Sequence, residues 1–219
     1  MLDDSRTLSE GKRDTGGRKG RFCQSALFLR GTRLPQVETT VAYEALANGS
    51  VCVQASYKGT EGLPDLPAFG MEWKLKEKYH CMQYYGYGPG ENYIDRMEGA
   101  RLGIYQNTAG ESMSGYLVPQ ECGNHTGVRW LEVTDEDGCG LRFEALGQPF
   151  EASVLPYSAQ ELDAAAHREE LPVPHYTWVR ILARQMGVGG DDSWAAPVHP
   201  QYRIPSGENL EVAFVIKPV

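Results

Sequence analysis

The chain has 219 residues, a formal net charge of −8 and 41 % hydrophobic residues. That length suits one large all-β domain, and the acidic balance argues against a nucleic-acid partner. No apolar run approaches the roughly 20 residues of a membrane-spanning helix, and the first residues lack the basic-then-apolar order of a secretory leader. The five cysteines, 23, 52, 81, 122 and 139, are odd in number and irregularly spaced, which suggests no disulfide framework; a reducing, cytoplasmic setting is expected.

Residues 1–21 are polar and mixed in charge and read as a tail or linker ahead of a domain over 22–219. Their glycines and lysines lack the phosphate-loop spacing. Phe22 to Leu29 is the first strand expected. Val37 to Glu44 and Val51 to Tyr57 are rich in β-branched and aromatic residues and flank Asn48-Gly49, a hairpin signal. Gly62 to Pro67 is a proline-interrupted loop. Met71, Trp73 and Leu75 alternate with Glu72, Lys74 and Lys76, a half-buried strand pattern within Phe69 to Tyr79. Cys81 to Tyr87 continues as a strand. Val128 to Thr134 reads as one strand, followed by an Asp-Gly turn and by strands over Leu141 to Leu146 and Phe150 to Leu155. Ser158 and Glu161 fit a capping box, which predicts a helix through Leu162 to Arg168 that Pro172 stops. Tyr176 to Leu182 is a strand, and Gln201 to Ile204 and Leu210 to Ile216 are expected as closing strands. The sum is about a dozen strands and one short helix, hence an all-β, antiparallel two-sheet sandwich.

Two stretches are richer in information than the rest. Met186-Gly187-Val188-Gly189-Gly190-Asp191-Asp192-Ser193-Trp194 sets an indole on a glycine-rich polar loop, a place suited to the apolar face of a sugar or to a partner protein. An equally local reading folds Trp194 back into the core. Tyr84-Tyr85-Gly86-Tyr87-Gly88-Pro89-Gly90-Glu91-Asn92-Tyr93-Ile94-Asp95-Arg96 is the second. Together with Val118-Pro119-Gln120-Glu121, Gly123-Asn124-His125-Thr126 and Val128-Arg129-Trp130, these motifs resemble the C-terminal, or small-chain, domain of the bacterial β-galactosidases of glycoside hydrolase family 2. The resemblance runs in order from about Val37 to Val219.

The resemblance implies a supersandwich of the galactose mutarotase type, with the front of the domain truncated or replaced by residues 1–36. It implies that both catalytic glutamates lie on a separate barrel domain or large chain, so that no catalytic residue is expected here and the chain would complete the active site for hydrolysis of terminal β-D-galactosides such as lactose. It makes Trp194 a platform that stacks on the sugar, with Asp191, Asp192 and Ser193 beside it. Magnesium and sodium are expected on the other domains, no cofactor or metal on this one, and an oligomer in the complete enzyme. The chain departs from the family's pattern at Cys122, where the family carries Asn, and at Gly127, where it carries an acid.

Asn92, Asp95, Arg96, Glu121 and His125 are candidates for a cleft or a domain interface; each also reads as a hydrogen-bonded structural residue. Cys122 and His125 have a zinc-like spacing without a second pair. Two other functions stay open. One is a stand-alone galactoside-binding module using Trp194, Tyr85 and Tyr87. The other is an aldose 1-epimerase-like enzyme, which needs an acid and a base in one cleft; Glu121 and His125 are the pair on offer.

Overall fold

The computed structural model describes residues 6–12, 21–28, 37–192 and 194–219, the first two segments as backbone only. Thirteen strands and one short helix are found among them. One sheet has nine strands: β1 (Arg6–Lys12), β2 (Arg21–Phe28), β3 (Val37–Ala45), β4 (Val51–Lys58), β13 (Leu210–Pro218), β10 (Gly140–Ala145), β9 (Trp130–Thr134), β6 (Cys81–Gly88) and β7 (Arg101–Thr108), in that spatial order. The other has four: β5 (Ala68–Lys76), β12 (Tyr176–Gln185), β11 (Phe150–Leu155) and β8 (His125–Val128). Every pairing is antiparallel.

Alternation along the strands explains why two sheets face each other. Met82 and Tyr84 of β6 are buried while Cys81, Gln83 and Tyr85 are half-exposed, and Leu131 and Val133 of β9 repeat the pattern. Period two puts these side chains on one face. They meet Val154, Val179 and Ile181 of the smaller sheet in one core. Trp73 of β5 bridges the sheets, its ring 5.2 Å from Phe143 and 5.5 Å edge-on to Phe214. Burying each such large side chain contributes about 1.5–3 kcal/mol.

Four sequence expectations are corrected. Arg6–Lys12, inside the polar stretch expected as a tail or linker, runs as the outermost strand, in register with β2 from Arg6 opposite Phe28 to Lys12 opposite Phe22. A ladder needs only backbone N–H and C=O groups, which every residue of this strand supplies. The run Val128 to Thr134 is two strands, since β8 pairs with β11 in the small sheet and β9 with β6 and β10 in the large one. The chain thus changes sheets near Gly127, whose φ is +60°. Gln201 to Ile204 is no strand; residues Pro200–Tyr202 form a 3-10 turn, for which Pro200 fixes the first position.

The helix is the fourth. The capping box is present: Glu161 N–H donates to Ser158 Oγ at 3.1 Å and Ser158 N–H to Glu161 Oε2 at 2.7 Å. The helix nevertheless spans only Ala159–Ala164, with Ala165 already extended. Only Leu162 of this helix is buried, and so short an element is held by packing and caps rather than by propensity. Ser158→Ala is expected to lower stability by about 1 kcal/mol, read as a lower urea midpoint; an unchanged midpoint would show the cap idle.

Candidate functional site

The two motif stretches meet in space through Asp95. Its Oδ2 accepts a hydrogen bond from Gly189 N–H at 2.7 Å, across 94 residues of sequence. Gly187 lies against the same carboxylate: a Cβ there would sit 2.6 Å from Asp95 Oδ2, so any side chain at this position would displace the anchor. Gly187 N–H donates to Tyr202 O at 2.9 Å. One end of the loop after β12 is therefore fixed by residues 95 and 202.

The tip is fixed by its own acids. Asp192 Oδ1 accepts from Trp194 N–H at 2.8 Å and from Ala196 N–H at 3.3 Å, an Asx-type turn. Asp191 Oδ1 lies 2.7 Å from His199 Nε2. Gly190 passes so close to Ala196 that a Cβ would stand 2.2 Å from its carbonyl oxygen. Ala195 has φ +70°, a left-handed conformation costing a non-glycine residue roughly 1–2 kcal/mol. This backbone sets Trp194 outward with 86 % of its surface exposed. The reading that buries Trp194 in the core is thereby corrected: the loop is braced across its own base and turns the indole away from the core. Ser193 lies outside the described residues.

The segment after β6 forms the wall beside this loop. Residues between Gly88 and Ala100 line a concavity in which Glu91, Asn92, Asp95, Arg96 and Glu98 are the polar side chains. Glu91 is its hub. Its carboxylate accepts from Tyr116 Oη at 2.5 Å and from Gly123 N–H at 2.7 Å, and pairs with Arg96. Burial alone would raise the Glu91 carboxyl; hydrogen bonds from Ser114, Tyr116 and the Gly123 amide, with the Arg96 charge, outweigh it and hold it below the ordinary value. Arg96 also donates to Tyr116 Oη at 3.0 Å.

The remaining candidates are placed deeper. Asn92 is 1 % exposed; its amide donates to Tyr87 O and Gly90 O, and its Oδ1 accepts from Thr126 N–H and Oγ1. It closes the loop upon itself. Glu121 is held by a bidentate pair from Arg180, at 2.9 and 2.6 Å, with Tyr93 Oη 3.3 Å away. His125 is 3 % exposed, with Nδ1 3.0 Å from Tyr84 Oη. Burial drives its pKa down to about 4. Glu121 and His125 thus belong to separate networks. Tyr85 and Tyr87 are not free platforms either: the Arg129 guanidinium lies 5.4 Å over the Tyr85 ring, and a Cβ on Gly127 would touch the Tyr87 ring at 2.8 Å.

A family model described as "Beta galactosidase small chain" matches residues 5–216. The chain belongs to the β-galactosidase small-chain family. It is 44 % identical over 204 residues to the β-galactosidase BgaC of Bifidobacterium adolescentis, covering 91 % of this chain and 19 % of that protein. It is 44 % identical over 187 residues to a β-galactosidase of Halalkalibacterium halodurans, covering 84 % and 18 %. It is 38 % identical over 192 residues to a β-galactosidase small subunit of Latilactobacillus sakei, covering 83 % and 60 %. This small-chain sequence therefore spans less than a fifth of the length of the first two relatives. A solved structure assigned as a candidate aldose 1-epimerase, from Escherichia coli K12, overlays with a TM-score of 0.45 at 11 % identity, covering 96 % of this chain and 68 % of that one; the likeness carries no argument about activity.

Within the small-chain domain, sequence reasoning missed Glu91, Tyr116 and Arg180. Glu91 stands inside a quoted motif, but its partners Tyr116 and Gly123 lie 25 and 32 residues on. Arg180 reads as one position of a strand, and its acid is 59 residues earlier. Only the glycine spacing of the 187–190 loop gave an advance signal of a close approach, without naming Asp95. Among the described residues no helix is long and apolar enough to cross a membrane.

Proposed function

We propose that this chain is a non-catalytic small chain that completes the active site of a β-galactosidase, supplying Trp194 to the sugar while a large chain supplies both carboxyl groups. The observation that carries the reading is the exposed indole on a loop whose Asp191 and Asp192 are spent on holding it. An aromatic face stacks on the C–H face of a pyranose, and a loop braced by Asp95, Asp191 and Asp192 pays little ordering entropy when a sugar arrives. Retaining hydrolysis needs two carboxyl groups roughly 5 Å apart. The acids of the loop and its anchor are engaged otherwise: Asp95 on Gly189, Asp191 on His199 and Asp192 on Trp194.

The proposed substrates are terminal β-D-galactosides such as lactose, with Trp194 on the leaving-group side. Magnesium and sodium would sit on the partner's domains and take part in no step through this chain's residues. Family membership supports the pairing with a large chain.

The test is hydrolysis of a chromogenic galactoside by the purified chain alone, by BgaC of Bifidobacterium adolescentis lacking the region this chain matches, and by the two mixed. Activity is expected in the mixture only. Hydrolysis by the chain alone would overturn the reading, because it requires a carboxyl pair within these residues.

A further inference from the structure

Several exposed apolar side chains gather around one segment, the wall formed by residues 88–100. Leu102 and Ile104 follow it directly on β7, and Ile104 is 62 % exposed. Leu117, 88 % exposed, and Val118 follow Tyr116, whose hydroxyl is tied to the same wall through Glu91 and Arg96. Across the wall, Asp95 holds the loop that presents Trp194. The Leu117 loop is thus tied to the wall by the Tyr116 hydrogen bonds, the Trp194 loop by Asp95, and Leu102 and Ile104 by the chain itself.

Strand β7 adds a second feature. It is the end strand of the nine-stranded sheet and pairs only with β6 among the described strands. Its sequence, RLGIYQNT, has neither the lysine nor the proline that guards an open edge. On the outer face Ile104 lies opposite Tyr85, and Tyr85 opposite Trp130. The rings are covered by cations, Arg129 over Tyr85 and Arg142 4.2 Å over Trp130. Sugar stacking there is blocked, whereas the aliphatic side chains of Leu102 and Ile104 stay open. Leu102 and Ile104, two residues apart on one face of a strand with a free edge, are the kind of exposed apolar surface that marks an interaction site.

We infer that the outer side of β7 and the Leu117–Val118 loop form the surface on which the β-galactosidase large chain docks. The inference rests on the function proposed above, and continuity selects the occupant. A partner that receives Trp194 must approach the 187–199 loop, and the wall that anchors this loop carries Tyr116 and leads straight into β7. The polypeptide that closes over the indole therefore also covers Leu117, Val118, Leu102 and Ile104, excluding water around the stacked sugar.

The test uses the full chain and BgaC of Bifidobacterium adolescentis lacking the matched region, with binding followed by sedimentation and hydrolysis by a chromogenic galactoside. The double variant Ile104→Glu/Leu117→Glu is expected to bind at least tenfold more weakly and to recover full turnover once saturating. Val173→Glu, exposed before β12 at the strand end away from the Trp194 loop, is expected to bind like the unmodified chain. Each variant must keep the unmodified urea midpoint, which shows it folded. Unweakened binding by the folded double variant overturns the docking surface and leaves the proposed function standing. No association and no activity from the unmodified chain, either mixed or fused in place of the removed region, overturns the proposed function itself. Self-association of the chain that the double variant abolishes would assign the face to a second copy and overturn the inference.

Discussion

Trp194→Ala is expected to raise KM for the galactoside in the reconstituted enzyme by about tenfold to a hundredfold, the loss of one well-packed aromatic contact. Asp95→Ala should produce a similar loss without touching sugar. Its carboxylate restrains Gly189 and packs on Gly187, so its removal frees the limb that carries the indole. Asp95→Asn keeps an oxygen acceptor and should restore most activity. The double variant Asp95→Ala/Trp194→Ala should be no worse than Trp194→Ala, because both act through one ring. Full additivity would place the role of Asp95 elsewhere. The fold should lose only about 1–2 kcal/mol with Asp95→Ala, the scale of one hydrogen bond, measurable by urea denaturation.

The second large effect concerns two buried groups that titrate in opposite senses. Glu151 is 9 % exposed, and burial raises its carboxyl to about 7, despite the Asn124 amide at 2.7 Å, the Gln185 backbone and the Arg184 charge. A raised folded pKa gives stability that is fully present below 4.5 and is lost as pH rises through about 7. His125, driven down to about 4 by burial, gives stability that is present above 6.5 and lost as pH falls through about 4. Each window corresponds to about 3 kcal/mol. Relative to the unmodified chain, Glu151→Gln is expected to gain stability progressively from pH 4.5 to 7.5. His125→Gln should show no pH-dependent difference above 6.5 and a growing gain toward pH 4. Urea midpoints measured across that range decide the matter. Differences that do not change with pH would mean that neither group is held in its neutral form.

What the sequence made legible follows from range. The β3–β4 hairpin is announced by Asn48-Gly49 between two runs rich in β-branched and aromatic residues, and the paired strands follow as read. The helix cap is likewise local, four residues long. The change of sheet between β8 and β9 is not local: Val128 to Thr134 is evenly β-forming, and only the pairing with β11 on one side and β6 on the other divides it. The candidate site divides along the same line. The aromatic and glycine pattern marks the Trp194 loop, and the acids inside the loop are visible as turn formers. The acid that anchors it, Asp95, is 94 residues away, and no spacing rule connects residues that distant. His125 stands in a motif yet is a core residue, because motif membership records neither burial nor its bond to Tyr84.

Strand β13 lies in the middle of the nine-stranded sheet, between β4 and β10, although it follows every other strand in the chain. A ribosome therefore delivers β4 and β10 long before the strand that joins them, and each waits with an unsatisfied edge. Contacts such as Tyr57 Oη to Ser206 O, 149 residues apart, belong to the class that makes folding slow. The interval before Leu210–Pro218 arrives is the one in which nascent chains are most exposed to pairing with one another, and the growing polypeptide has most to gain from a chaperone then.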